Sequence, residues 1–141
     1  PYWVCENRIS EFLIYKGYQN NNKFLLYLGI GINKIIRELF SIYSDFSKKN
    51  KFSIYACHGS FLAINKRFLE ESNFRYDKKM FLFYEEAYLA KKIKDNKQKL
   101  YYYKNIVVNH NEDGSMNLAN IKEYPYLKKS YLHYYEQYRK K

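Results

Sequence analysis

The chain has 141 residues, 47% of them hydrophobic and 28% charged, enough for one ordinary domain with its own core and too few for two. No run approaches the roughly 18 apolar residues of a spanning helix, and Pro1 to Arg8 carry no basic flank leading into an apolar stretch, which argues against membrane-spanning and secreted classes. The 25 Lys and Arg against 14 Asp and Glu leave a net charge of +11, beside 21% aromatics that include 18 tyrosines.

Taken in chain order, Pro1 to Ile30 mix aromatic and aliphatic residues around Gly17, Asn20-Asn21-Asn22 and Gly29 with no clean period. From Ile32 the spacing predicts a helix, because Ile32, Ile35, Ile36, Leu39, Phe40, Tyr43 and Phe46 recur at three and four along one stripe. Lys48, Lys49 and Lys51 are expected to close it, as cations do near a helix C-terminus. Phe52 to Cys57 read as a strand, His58-Gly59-Ser60 as a turn, and Phe61 to Ile64 as a second strand. Asn65 is placed to cap a short helix through Leu69, which Asn73 ends in a left-handed conformation.

Met80 to Tyr84 form an apolar run too short for a buried helix and rich in aromatics, so a buried extended segment is expected. It leads to Glu85-Glu86 and a helix from Glu86 to Asn96 that buries Leu89, Ala90 and Ile93 and turns Lys91, Lys92 and Lys94 to solvent. Leu100 to Tyr103 and Ile106 to Asn109 read as two short strands or one broken one, followed by the polar loop from His110 to Ser115. Pro125, at a first helical position, opens a last helix from Tyr126 to Lys141. Leu127, Tyr131, Tyr134, Tyr135 and Tyr138 line one face of it, suited to docking on the rest of the domain or to lying on an anionic membrane. The class is α/β, and the chain reads as a single unit over 1–141 with a closing amphipathic helix over 125–141.

Basic and aromatic residues together resemble a nucleic-acid surface, where cations neutralise phosphates and rings stack on bases. Yet the cations are mostly Lys, with arginine only at Arg8, Arg37, Arg67, Arg75 and Arg139, and base or phosphate forks favour Arg. Lys, Asn, Tyr, Ile and Phe also share A/T-rich codons, so coding bias accounts for the excess and no specific nucleic-acid partner is expected. Cys5 and Cys57 have neither zinc-ribbon nor disulfide-framework spacing and suit a reducing cytoplasm. Gly29-Ile30-Gly31 lacks the third glycine of a dinucleotide loop, and no phosphate loop or nucleophile elbow is present.

The strongest chemical constellation is Glu85/Glu86 with His110, each at the exit of a short apolar segment. Groups at strand ends converge on the ligand crevice of an α/β sheet. A carboxylate there can deprotonate an alcohol, and a histidine can meet a divalent metal or a phosphate. The bland alternatives are a solvated helix start and a polar strand end. An adjacent Cys57-His58 pair is a poor nucleophile and base, since strand neighbours point to opposite faces.

Three pieces in order are together fairly specific: His58-Gly59-Ser60-Phe61-Leu62-Ala63-Ile64-Asn65, then Phe81-Leu82-Phe83-Tyr84-Glu85-Glu86-Ala87, then Val107-Val108-Asn109-His110 with Ser115 beyond. They resemble the acceptor half of bacterial family 2 glycosyltransferases, inverting enzymes of the GT-A fold. Pro1-Tyr2-Trp3 looks like the junction after the donor-binding half of one branch, and Ser130-Tyr131-Leu132 resembles the closing helix, so the likeness covers nearly the whole chain. The resemblance implies an incomplete GT-A-like mixed sheet with flanking helices. It implies Glu86 as the base, at the position where the family most often has Asp, with Glu85 as the acid before it. His58, Gly59 and Ser60 would line the acceptor or sugar pocket, and His110 would stand near the metal-diphosphate end.

The implied donor is a nucleotide sugar, and the implied acceptor is a saccharide or a lipid-linked saccharide of bacterial surface polysaccharide synthesis. That places the chain in the cytoplasm, with peripheral contact at the inner face of the membrane. Mg or Mn is the implied cofactor. Its Asp-x-Asp motif is missing, because Asp45, Asp77, Asp95 and Asp113 stand well apart. The expectation is therefore a C-terminal portion whose nucleotide-binding half lies elsewhere, through truncation or a split gene, with little turnover alone. The rival expectations are a non-catalytic basic module for nucleic acid or anionic membrane, and an inactive remnant.

Overall fold

The computed structural model describes residues 3–80, 82–109 and 122–140. The first elements are two helices, α1 (Arg8–Gln19) and α2 (Lys23–Phe46), folded into a hairpin. Asn7 caps α1 by accepting from the Ser10 N–H at 3.1 Å, and Asn22 caps α2 by accepting from the Leu25 N–H at 3.1 Å. Asn21 between them takes a φ of 51°, a left-handed conformation that asparagine tolerates. The asparagine run is thus the turn of a helical hairpin. Two glycines seat the helices: a Cβ at Gly17 would lie 2.6 Å from Leu26 N, and one at Gly29 would lie 2.7 Å from Ile14 Cγ1.

The opening lacked a hydrophobic period because the face that α1 buries alternates chemistry, with Ser10, Glu11 and Gly17 beside Ile14, Tyr15 and Tyr18. Helix α2 starts at Lys23, ahead of the expected Ile32, since the packing of Gly29 against Ser10 and Ile14 of α1 holds this part of the helix against the low propensity of its glycines. Nor do Lys48, Lys49 and Lys51 close it. Lys104 does, donating from Nζ to the carbonyls of Ser44 at 3.0 Å and Ser47 at 2.9 Å.

Strands β1 (Lys51–Ile54) and β2 (Leu100–Tyr103) pair antiparallel, with Phe52 opposite Tyr102 and Ile54 opposite Leu100. Trp3 extends this edge through an isolated antiparallel bridge to Ala56. Among the described residues this two-stranded ladder is the whole sheet. The chain is mixed and dominated by helix, and the larger mixed sheet expected from the sequence is absent from the described residues. Residues Phe61 to Ile64 and Ile106 to Asn109 are not strands. Leu62 and Ile64 instead pack irregularly on the core, an apolar role that does not require a ladder.

Helix α3 (Lys66–Glu71) begins as expected: Asn65 Oδ1 accepts from the Arg67 N–H at 2.9 Å. Asn73 follows with a φ of 46°. In place of the expected extended run at 80–84, residues 82–84 are a succession of bends; Met80 is buried, Leu82 is at the surface, and Leu82 and Tyr84 have φ of 70° and 69°. Phe81 lies outside the described residues. Helix α4 (Glu85–Asp95) buries Leu89, Ala90 and Ile93 as read, together with Ala87 and Tyr88.

Helix α5 (Glu123–Tyr134) continues into a π-helical turn, Tyr135–Arg139. Pro125 sits within its first turn, two positions after the helix begins, where the missing N–H still costs no helical bond. Its tyrosine face belongs to the core. Tyr131 and Tyr134 are fully buried, the Tyr131 hydroxyl donates to the Glu11 carbonyl at 2.7 Å, and Tyr135 stacks on Tyr15 at 4.4 Å. Arg139, also buried, donates to Glu11 Oε2 from Nε at 2.8 Å and Nη2 at 2.6 Å, and from Nη1 to Glu6, which also pairs with Lys94. Burial outweighs the Arg139 charge and raises the Glu11 carboxyl above the usual range. Much of the tyrosine excess is therefore packing: Tyr15, Tyr18, Tyr55 and Tyr88 are buried as well.

Candidate functional site

The N-terminus of α4 is built on strained backbone. Two non-glycine residues in left-handed conformations, Leu82 and Tyr84, precede Glu85, and Tyr84 serves as N-cap without a side-chain hydrogen bond to the helix. Such conformations cost on the order of 1–3 kcal/mol each and persist where surrounding contacts hold them. Here the Tyr84 ring is held edge-on by Tyr131 at 4.6 Å and by Trp3 at 5.9 Å. The buried tyrosines of α5 thus fix the point from which Glu85 and Glu86 project.

Glu86 turns toward the His58-Gly59-Ser60 turn. Its Oε1 accepts a hydrogen bond from the Gly59 N–H at 3.1 Å. A Cβ at Gly59 would collide with that same oxygen, so the close approach depends on glycine. In the turn itself, His58 Nδ1 accepts from the Ser60 N–H at 3.2 Å and lies 2.7 Å from Ser60 Oγ. A ring nitrogen that accepts carries no proton, so the Ser60 hydroxyl donates to it and a neutral His58 holds its hydrogen on Nε2.

Glu85 is half-buried, and its carboxyl is raised chiefly by burial, with the neighbouring Glu86 charge adding to it, while the amides of Glu85 and Leu82 offset part of the rise. Burial likewise raises the Cys57 thiol, and Glu86 adds to it, so Cys57 is a protonated, poorly nucleophilic thiol. The Tyr76 phenol is raised by burial and by the charges of Cys57, Glu86 and Glu85, so it lies within electrostatic reach of the same carboxylates. Tyr76 was not singled out from the sequence; its place in an irregular segment between α3 and α4 gives no periodic signal.

Beyond His58 an open groove of about 350 Å³ runs between Phe61, Leu62, Ile106, Val108 and the tyrosines of β2. The structure therefore brings together four of the residues expected at the site, Glu86, His58, Gly59 and Ser60, with Glu85 adjacent. His110 lies outside the described residues. Among the described residues no three His, Cys, Asp or Glu side chains gather where a metal could sit. Glu85 and Glu86 are as many carboxylates as Mg commonly takes beside water and substrate phosphates, but no third ligand side chain stands with them among the described residues.

Among the described residues no helix is long and apolar enough to cross a membrane. Compared with family models, curated proteins and solved structures, the chain matches none of them.

Proposed function

We propose that the chain is the acceptor-side part of an inverting glycosyltransferase in which Glu86 is the general base. One observation carries the reading. The Gly59 amide and the Glu86 carboxylate, on segments that resemble two separate pieces of the family 2 pattern, meet at 3.1 Å. In the proposed step Glu86 takes the proton of an acceptor hydroxyl, and the freed oxygen attacks the anomeric carbon of a nucleotide sugar. The bond from that carbon to the diphosphate breaks, the nucleoside diphosphate leaves with the bonding pair, and the configuration inverts.

The amide of Gly59 orients the carboxylate, and the tyrosine-braced N-terminus of α4 fixes its origin. Orientation of this kind is the part of catalysis that a folded chain supplies before substrate arrives. The His58-Gly59-Ser60 turn lines the acceptor or sugar side. The nucleotide, and Mg or Mn where used, would be held by a nucleotide-binding half, His110 standing near them. The setting that follows is bacterial surface polysaccharide synthesis, in the cytoplasm beside the inner face of the membrane, with a saccharide or lipid-linked saccharide as acceptor.

The test is transfer by the full-length protein from a panel of nucleotide sugars, with the new anomeric centre read by proton NMR. Release of nucleoside diphosphate with inverted configuration is expected. Retained configuration would overturn the reading. So would no turnover together with RNA, DNA or vesicle binding that weakens steeply with salt, the signature of a basic binding module.

A further inference from the structure

Helix α2 has two faces, and only one of them is used by the fold. The inward face buries Leu26, Gly29 and Ser44. The outward face carries Leu25, Leu28, Ile32, Ile35, Leu39, Ile42 and Phe46, spaced alternately three and four residues apart without a break. That is the a/d pattern of a coiled-coil seam, with Leu25, Ile32, Leu39 and Phe46 at a and Leu28, Ile35 and Ile42 at d. Such a row drifts by only about 20° per heptad on a straight helix, so it forms a continuous strip. None of the seven is buried, and Ile35, Leu39 and Phe46 are 62%, 62% and 88% exposed. A helix that buries only Leu26, Gly29 and Ser44 while presenting an unbroken apolar seam outward has that seam for a partner.

Charge and size select the partner. The g positions beside the seam hold Phe24, Gly31, Glu38 and Asp45, and the e positions hold Gly29, Ile36 and Tyr43, so neither flanking row carries a lysine. An anionic lipid surface would meet those carboxylates, which disfavours it. A second α2 matches the heptad by construction, and two seven-residue seams bury on the order of 1,000 Å², the threshold of a specific interface.

We propose that α2 is a self-association helix, pairing along this seam with α2 of a second copy of this chain. The test uses the whole chain. Light scattering at about 100 μM should give a molar mass at least twice that of one chain. The Ile35→Asp/Leu39→Asp variant should be monomeric with unchanged far-UV dichroism, because both side chains are exposed. In a Cys5→Ser/Cys57→Ser background, Leu39→Cys should form an interchain disulfide, with itself in a parallel pair or with an Ile35→Cys chain in an antiparallel one.

Each copy carries +11, so about 0.5 M salt should strengthen the association by screening repulsion. A monomeric wild-type chain overturns the proposal, as does a dimer that survives the double substitution. A Leu39→Cys chain that links neither to itself nor to an Ile35→Cys chain overturns it as well. A monomer that sediments with phosphatidylglycerol vesicles, and ceases to in the double variant, gives the seam to the membrane instead.

Discussion

Glu86 and Gly59 are joined by one hydrogen bond, 3.1 Å from the glycine amide to Oε1, across 27 positions of sequence. The bond leaves no room for a side chain at residue 59. Gly59→Ala should push the carboxylate away while leaving the rest of the fold in place, because the turn is exposed. Sugar transfer is expected to fall by about 10²-fold, the scale of an ångström-sized misplacement. Urea unfolding is expected to change by no more than about 0.5 kcal/mol.

The two helix glycines Gly17 and Gly31 should respond in opposite directions. A Cβ at Gly17 meets the backbone of Leu26 at 2.6 Å, which cannot yield without moving α2. Gly17→Ala should destabilise the protein by about 3 kcal/mol. Gly31 meets nothing within 4 Å, and Gly31→Ala should stabilise it by about 0.5–1 kcal/mol through helix propensity alone. Paired denaturation curves decide both.

Local rules made much of this legible in the sequence, and long-range ones did not. Asn65 and Asn73 bracket α3 because caps act within a few residues. The buried row of α4 follows from its 3.6-residue period. Helix α1 stayed hidden because it buries Glu11 and Ser10, whose partners Arg139 and Asn33 are remote in sequence. Phe61 to Ile64 looked like a strand because an irregular apolar segment and a buried strand share one composition. At the site, the meeting of Glu86 with Gly59 could be suggested by a family pattern but by no spacing rule, and Tyr76, within reach of the same charges, carried no sequence signal.

Arg139 is the sole described partner of the Glu11 carboxylate, whose Oε1 is buried without a hydrogen bond. Arg139→Met should cost about 3–5 kcal/mol by leaving that carboxylate unpaired. Adding Glu11→Leu should return most of the loss, and a double-mutant cycle in urea measures the difference.

Asp77 supplies a pH dependence whose sign is fixed. Burial alone would raise its carboxyl, but hydrogen bonds from His133 at 2.7 Å, the Lys79 N–H at 2.9 Å and the Tyr138 hydroxyl at 2.7 Å hold it down to about 2. A depressed folded value means stability that is present above the unfolded value, about 3.9, and lost as pH falls toward 2. The contribution is on the order of 1–2 kcal/mol after solvent screening. Asp77→Asn should flatten the acid limb of stability against pH over that window.

The role of Glu86 as base is tested most directly by Glu86→Gln, which keeps the side-chain length and an oxygen for the Gly59 amide but cannot accept the proton. In the full-length protein, kcat for sugar transfer should fall by about 10²–10⁴-fold with KM for the nucleotide sugar little changed. Transfer at the wild-type rate by Glu86→Gln would contradict the account.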